Sequence, residues 1–560
     1  MKITHVRLYC TVVFIFISII TYAQTPKKYE SAWKKIDSLS EKGLNKSALT
    51  EVNKIYAQAS KEKNDVQLIK ALIYQMQLNE DLEEKANEKN LKQIEKEIVT
   101  ASEPAKSILE SIAAGSYWNY FRQNRWRLYS RAQTVNFVKD DIATWGITDF
   151  HKKITALYLE SIRNEKLLQQ TELTNYDPII IKGNVRYLRP TLYDLLANQA
   201  LEYFEDDERD IIRPAYQFQI TENAAFDPAT DFVNFKFKTQ DSASLLFQAL
   251  LIHQKLIQFH LDDKKPDALV DADLSRLKFV KQYSVISEKD SIYRLALQHI
   301  ISIYDNHPVS SSIRFELAND YASNELYEIA ESRYPANKNS LQKAKRICDE
   351  TILKFPKTDG AIQCGNLLKR ILQKTVSTTV ELVNLPGEPF RALVKYKNIP
   401  KVYLRVIKYD RQMDEQLINR YQDSYWKKLV KVGAIKSWEQ SIPVTTDYLA
   451  HSVEIKIDPL PIGEYALISS DHSDFSDSSA VLSQVNFHVS GISLIGKENE
   501  HFLLDRKAGT PLGGAEVQIW KEVYDNKKNE FKLEKAEKFR CDNNGYFRIN
   551  SPSKNVRNIQ

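Results

Sequence analysis

The hydrophobic positions of the chain repeat with two different periods. Between residues 27 and 375, apolar residues recur every three to four positions, which is the spacing of amphipathic helices. One of these apolar stripes consists of Ala48, Leu49, Val52, Ile55, Tyr56 and Ala59. Short turns separate successive stripes, and short paired helices of this kind stack on their neighbours. The pattern therefore predicts an α-helical, solenoid-like region over residues 27–375.

After residue 375, apolar and polar residues alternate, which is typical of strands with one buried face. The clearest runs are Val402–Val406, Val453–Asp458 and Val485–Ser490. Turn residues separate the runs, so the pattern predicts two antiparallel β-sandwiches, over residues 376–490 and 491–560. Helical spacing returns within residues 412–438, which predicts a helical insertion in the first sandwich. The second sandwich is expected to be incomplete at its C-terminal end.

Composition favours a boundary at the same point. The chain has 15 glycines in 560 residues, of which six precede residue 376 and nine follow it. The glycine-poor part is a poor source of nucleotide-binding loops, and neither the dinucleotide motif nor the P-loop motif occurs. These features predict a multidomain protein, helical first and built from β-sandwiches afterwards.

Neither the charge nor the motifs favour an enzyme or a nucleic-acid-binding protein. The net charge of +5, from 78 basic and 73 acidic residues, is too small and too evenly mixed for either nucleic acid or an anionic membrane. No His-Glu-x-x-His or Gly-x-Ser-x-Gly motif occurs. His253 and His260 are two helical turns apart, too far to share a metal ion, and are expected to be satisfied in the fold or to face solvent. We expect no enzyme activity and no cofactor.

Residues 1–23 have the order of a secretory signal. Lys2 and Arg7 precede an apolar run (Thr11–Ile20) and a short cleavage region. A membrane-spanning helix needs about 20 apolar residues, roughly twice the length of this run. We therefore expect cleavage after Ala23 and export to the periplasm, the cell surface or the medium. Since no second long apolar run follows, no transmembrane segment is expected in the mature chain.

Three cysteines follow the signal: Cys348, Cys364 and Cys541. The first two lie in consecutive amphipathic stripes that resemble a tetratricopeptide-type helical hairpin with its turn at Pro356. Because Pro356 is at the midpoint between them, an antiparallel hairpin brings the two sulfur atoms level. In an oxidising compartment this predicts a structural disulfide between Cys348 and Cys364. The alternative is a pair of buried thiols, which behave as small hydrophobic groups.

The densest feature of the chain is an aromatic and basic stretch, Tyr117–Tyr129. Its candidate interaction surface consists of Trp118, Arg122, Arg125 and Trp126, since interleaved rings and guanidinium groups stack on sugars or bases. The alternative is a solenoid helix whose aromatic residues fill the seam while its arginines reach solvent. Export argues against nucleic acid as the ligand.

The β part resembles the macroglobulin-like domains of the bacterial alpha-2-macroglobulin family. Residues Asp505–Val517 are similar to the family's D-R-x-x-G-x-P-L-x-G-A-x-V entry to such a domain, and Asp542–Phe547 to its turn and exit strand. Pro386–Phe390 and Pro461–Tyr465 are similar to segments of an opening macroglobulin domain. The helical region, with Trp33–Asp37, is similar to the front end of Bacteroidetes-type members. The chain thus resembles the N-terminal portion of such a protein.

Proteins of this family trap proteases: a bait segment is cut, the domains rearrange, and in many members a Cys-x-x-Gln thioester captures the protease. The resemblance implies broad endopeptidase inhibition, with proteases as partners of the full-length protein. Leu367 stands where a thioester at Cys364 would need Gln, so the bait and any thioester are expected outside this chain. The alternative is an adapter that binds other envelope proteins, since Asp505–Phe547 also resembles the carboxypeptidase-regulatory β domain of outer-membrane uptake complexes.

Overall fold

The structure of the protein, a computed structural model, describes residues 29–129, 141–206, 216–326, 339–409, 423–475, 480–525 and 530–549. Helices dominate the described chain up to Leu372, and strands follow from Thr375. This confirms the predicted fold class, a helical part followed by a β part. The change from helices to strands falls where the spacing of the apolar residues changes. Apolar residues at every second position share one face in an extended strand, whereas in a helix they do not.

The helical part consists of consecutive helices, most of them joined by short turns. They are α1 (29–41), α2 (Asn45–Glu62), α3 (Asp65–Leu82), α4 (Ala86–Thr100), α5 (Ala105–Tyr129), α6 (Ile147–Ser161), α7 (Glu165–Gln170), α8 (Leu192–Phe204), α9 (Ala229–Asn234), α10 (Leu245–His260), α11 (Asp267–Tyr283), α12 (Lys289–Ile303), α13 (Ser310–Leu326), α14 (Ser340–Lys354) and α15 (Asp359–Leu372). Sequence neighbours such as α2 and α3, α5 and α6, and α14 and α15 pack against each other.

The pair α2–α3 illustrates how the sequence ends one helix and begins the next. Lys63 takes a left-handed conformation (φ 53°) after α2, and the Asn64 side chain caps α3 by accepting a hydrogen bond from the Gln67 amide. The Gln75 side chain donates to Asn53 Oδ1 at 2.8 Å, because the two helices run antiparallel. Their facing stripes bury one shared core, as the periodicity predicts.

The first β domain consists of two sheets that share one core. Its strands are β1 (Thr375–Val380), β2 (Val383–Asn384), β3 (Phe390–Lys397), β4 (Lys401–Lys408), β5 (Ala434–Ser441), β6 (His451–Ile457), β7 (Gly463–Ser470) and β8 (Leu482–Val489). One sheet has the order β1-β3-β6 and the other β2-β8-β7-β4-β5. The pairings are antiparallel except that of β2 with β8. Buried residues of both sheets, such as Val394 and Leu404, meet in the core.

The helix between β4 and β5 ends earlier than the predicted insertion. Helix α16 covers Asp423–Leu429, and residues 410–422 lie outside the described part of the chain. The sequence predicts a helix through residue 438, whereas the chain is in strand β5 from Ala434. Pairing with β4 explains the difference. The spacing of apolar residues within one segment does not show which other strand that segment will pair with.

The second β domain consists of a three-stranded and a two-stranded sheet. Its strands are β9 (Ile492–Lys497), β10 (Glu500–Asp505), β11 (Glu516–Asp525), β12 (Glu530–Arg540) and β13 (Tyr546–Arg548). The orders are β13-β10-β9 and β11-β12, and all pairings are antiparallel. Leu503 and Phe547 of the first sheet and Val517 of the second are buried in one small core.

Contacts divide the chain into two compact units, Met1–Ile313 and Arg314–Gln560. The division falls within α13, so that α14 and α15 belong to the same unit as the strands. Within this unit the Gln342 side chain donates to the Thr446 carbonyl at 2.9 Å, and Tyr448 packs against the core between the two helices. The last helical pair is therefore held to the first β domain by direct contacts.

Candidate functional site

The candidate interaction surface lies on one face of α5. Trp118, Arg122, Arg125 and Trp126 follow one another at helical spacing and form a single stripe. The guanidinium carbon of Arg122 is 5.4 Å from the ring centroid of Trp118, and that of Arg125 is 5.0 Å from the ring centroid of Trp126. Each arginine thus lies at cation–π distance from one indole ring.

The two tryptophans are exposed to different degrees. Trp126 is 75% exposed, whereas Trp118 is half-buried and meets the Tyr203 ring edge-on, with 5.5 Å between the ring centroids. Three neighbouring aromatic residues of the same helix are buried: Tyr117, Tyr120 and Phe121. The stretch therefore combines a buried seam with an exposed stripe of indole and guanidinium groups. Such a stripe suits stacking on sugar rings or bases, and binding there stays a prediction.

The buried side of α5 holds the helix against α4 and α6. Tyr117 stacks on Trp145, with ring planes 2° apart and ring centroids 5.5 Å apart. The Tyr117 hydroxyl donates to Glu95 Oε1 at 2.9 Å, and the Lys153 ammonium nitrogen lies 2.6 Å from the same oxygen. Burial and the Glu95 carboxylate raise the pKa of Tyr117, so the phenol stays protonated and keeps donating. The stripe therefore sits on a firmly packed helix.

On the same helix, Glu110 is a carboxyl group in an unfavourable environment. Its side chain is 8% exposed, and the Lys106 ammonium nitrogen lies 3.9 Å away, at the limit of an ion pair. Burial raises the pKa of Glu110 from 4.5 to about 7. The native protein keeps this proton up to about pH 7, while the unfolded chain releases it near pH 4.5. The free energy of unfolding therefore falls as the pH rises through this interval.

Glu110→Gln is expected to remove this destabilisation. At about pH 8 we expect the free energy of unfolding to rise by about 2 kcal/mol, and at about pH 4 to stay unchanged. Urea denaturation followed by far-ultraviolet circular dichroism measures both values. Glu84→Gln, at an exposed position, is the matched control and should give no pH-dependent gain. An equal change at both pH values would assign the effect to packing and contradict the charge explanation.

The two cysteines predicted to form a disulfide meet in the core of the α14–α15 hairpin. Cys348 and Cys364 are fully buried, and each side chain shifts the pKa of the other. Both are free thiols in this structure. The interaction with Cys364, together with burial, raises the pKa of Cys348, whereas the interaction with Cys348 holds the pKa of Cys364 below its ordinary value. The two side chains are therefore adjacent, and the covalent bond stays a prediction.

We expect the exported protein to carry this disulfide. Denaturation without reductant, followed by alkylation and mass spectrometry, should label Cys541 alone, whereas prior reduction should label all three thiols. Cys364→Ser is the control, because it frees Cys348 and adds a second label without reductant. Three labels on the wild-type chain without reductant would contradict the disulfide.

The structure also contains a buried ion pair that the sequence pattern does not predict. Arg276 is 1% exposed, and its guanidinium group donates to Asp273 Oδ1 at 3.0 Å and to the Ala225 carbonyl at 2.6 Å. The spacing of Asp273 and Arg276 is also that of ordinary exposed ion pairs on helices. The sequence nevertheless holds a sign that the pair is buried, because the apolar residues Val270 and Leu277 flank it along α11 and are themselves buried.

The two helical histidines are buried, and each contacts at least one carboxylate, although the buried Nδ1 of His253 has no hydrogen-bond partner among the described residues. His260 lies between two of them, with Nε2 2.8 Å from Asp194 and Nδ1 2.8 Å from Asp263. Burial lowers the pKa of His260, but the two carboxylates outweigh burial and raise it above its ordinary value. A neutral imidazole donates only one hydrogen bond, so this arrangement favours the cation. Nε2 of His253 lies 2.8 Å from Glu205.

In the described ranges, no three His, Cys, Asp or Glu side chains are grouped so as to hold a metal ion. None of the described helices combines the length and the apolar composition that a membrane crossing requires. The expected cleavage position, Ala23, lies outside the described residues.

In the second β domain, the first half of the sequence motif, Asp505–Val517, determines the backbone conformation of a turn. Asp505 Oδ1 accepts hydrogen bonds from the backbone nitrogens of Lys507 and Ala508, at 3.0 and 2.7 Å, and so closes the turn after β10. Gly509 follows with a φ of 70°, which favours glycine. Pro511 then forms an isolated bridge with Leu504, which ties the turn to the strand.

The second half of the motif closes a turn in the same way. Asp542 Oδ1 accepts from the backbone nitrogens of Asn544 and Tyr546, at 2.8 and 2.9 Å. Gly545 has a φ of 73°, and its carbonyl oxygen accepts from the Leu503 amide at 2.9 Å. This turn carries the chain from β12 in one sheet to β13 in the other.

The chain matches no protein-family model and none of the curated proteins. Among solved structures it is similar to a fragment of native alpha-2-macroglobulin from Escherichia coli that spans domains MG0-NIE-MG1, with 16% identity and a TM-score of 0.23; the match covers 33% of this chain and 59% of that fragment. It is also similar to the CARDB domain of the PF1109 protein from Pyrococcus furiosus, with 13% identity and a TM-score of 0.14, over 21% of this chain and 88% of that domain. Similarities this weak carry no argument about function.

Proposed function

We propose that the chain is the N-terminal scaffold of an exported, alpha-2-macroglobulin-like protein of Bacteroidetes type that inhibits endopeptidases broadly by trapping them. In this proposal the helical part and the two β domains are macroglobulin-type scaffold and carry no catalytic step. The bait segment and any thioester lie outside this chain. Cys364 is unsuited to a thioester, because it is buried within α15 and lacks the following Gln.

The proposal rests on the family motif at Asp505–Val517 and Asp542–Phe547, whose residues form two turns of the second β domain. The aspartates and glycines of the motif occupy the turns for which their side chains and φ values are suited. The order of a helical front end followed by two β domains agrees with the family pattern on which the resemblance rests.

The experiment uses the full-length gene product, incubated with several endopeptidases. We expect a discrete bait cleavage on a denaturing gel, and loss of protease activity toward a large protein substrate while a small chromogenic peptide is still cut. The 1–560 chain alone is the matched control, because the proposal expects it to do neither. Absence of both the cleavage and the size-dependent protection would contradict trapping. The alternative would then be the envelope adapter, which is expected to co-purify with an outer-membrane protein.

Export to the periplasm or the cell surface is a separate part of the proposal, supported by residues 1–23. N-terminal sequencing of the protein from a fractionated culture is expected to start at Gln24, in the periplasmic, surface or extracellular fraction. A cytosolic product that starts at Met1 would contradict it without bearing on the trapping assay.

A further inference from the structure

A cavity of about 370 Å³ lies between α11, α12 and the segment that precedes α9. Its wall on α12 is one stripe, formed by Ile292, Leu295, Ala296, His299, Ile300 and Ile303. Leu295 and Ile303 are 65% and 58% exposed, so this mostly apolar stripe is open to solvent along the cavity. Cavities of this volume, mostly apolar and with a few polar groups, are typical of ligand sites.

The polar end of the cavity is the buried ion pair of α11. Arg276 donates to Asp273 through Nε and Nη2, and both bonds end on the same carboxylate oxygen, Oδ1. The other oxygen, Oδ2, accepts no hydrogen bond from any residue that the structure describes. Asp273 is 7% exposed and lines the cavity, so its carboxylate group lies at the edge of a mostly apolar space.

The charges around this acceptor favour a cationic donor. The Arg276 guanidinium group is bonded to Asp273 and to the Ala225 carbonyl, so its charge is compensated within the wall. A second carboxylate, Asp227, lines the same cavity, and no lysine is among the lining residues. An anionic head group would therefore meet two carboxylates and one compensated arginine, whereas an ammonium group would meet a free carboxylate oxygen.

We propose that this cavity binds an amphipathic amine, with its apolar body between α11 and α12 and its ammonium group on Asp273 Oδ2. The volume is that of roughly a dozen liquid water molecules, which suits an alkylamine such as octylamine. Because all the lining residues belong to the helical part, this site does not depend on protease trapping.

The test compares three ligands of equal chain length on the 1–560 chain at neutral pH: octylamine, octanol and octanoate. By isothermal titration calorimetry we expect octylamine to bind at least tenfold more tightly than octanoate, with octanol between them. Hydrogen exchange is expected to slow in α11 and α12 when octylamine is added. No binding of octylamine, equal binding of all three, or tightest binding of octanoate would overturn the proposal.

A pair of variants locates the ligand. Ala296→Phe fills the cavity and is expected to weaken octylamine binding more than tenfold. Gln298→Phe adds the same side chain at an exposed position of α12 outside the cavity and should leave binding unchanged. Octylamine binding that survives Ala296→Phe would overturn the site. If circular dichroism shows that Ala296→Phe does not fold, hydrogen exchange of the wild-type chain locates the ligand instead. Protection by octylamine that is confined to helices other than α11 and α12 would overturn the site.

Discussion

Arg276→Met is expected to lower the free energy of unfolding of the helical part by about 3–5 kcal/mol, because it leaves the Asp273 carboxylate buried without its partner. The substitution also removes the donor to the Ala225 carbonyl. Methionine keeps an unbranched side chain in the space that Arg276 fills beside the Phe232 ring, so the lost charge is the main change. Urea denaturation followed by far-ultraviolet circular dichroism measures the loss.

Two controls separate the buried charge from other effects. The double variant Arg276→Met with Asp273→Leu removes both charges and is expected to recover most of the loss. Arg163→Met breaks a pair of the same i, i+3 spacing with Glu160, whose partners are 76% and 51% exposed, and should leave the denaturation midpoint almost unchanged. A double variant as unstable as the single one would assign the effect to the shape of the arginine.

Gly545→Ala is expected to destabilise the second β domain by about 3 kcal/mol, through two effects that add. The φ of 73° is strained for alanine, and the new Cβ would collide with the Leu503 carbonyl oxygen, a backbone atom that cannot turn away. The backbone amide of Leu503 donates a hydrogen bond to the Gly545 carbonyl oxygen, at the point where β10 begins to pair with β13. The collision would therefore disturb the pairing of these two strands. Hydrogen exchange of peptides from β10 in the full chain measures the loss.

Gly509→Ala is the matched control within the same domain. Its φ of 70° carries the same backbone strain, but no atom lies within 4 Å of the new Cβ. We therefore expect a loss of about 1 kcal/mol, from strain alone. Equal losses at Gly509 and Gly545 would mean that the backbone beside Leu503 moves aside, contrary to the collision argument.

The sequence predicts the fold well where a local period determines the structure. The stripes of the helical part and the alternation from Val402 onward depend on which face a residue buries, and this face follows from spacing alone. Strand β5 shows the limit: its residues are exposed or half-buried, so a local pattern is weak and the pairing with β4 decides. The α5 stripe was predictable because all four of its residues lie on one helix.

Long-range polar pairs and cavities were beyond the same reasoning. His260 is bonded to Asp194, which is 66 positions earlier in the chain, and nothing in the spacing connects the two. Likewise, the apolar stripe of α12 is visible in the sequence, but whether another helix covers it depends on how α11 and α12 pack. The sequence therefore predicts which residues are apolar and leaves open which of them line an empty space.

The turn residues of the second β domain determine which substitutions the domain tolerates. Asp505, Gly509 and Gly545 each fix a backbone conformation. Because folding requires these conformations, substitutions of the three residues disturb the domain whatever it binds. The motif therefore constrains the backbone of the domain, and the exposed residues of the strands and loops outside it can be changed without altering these turns.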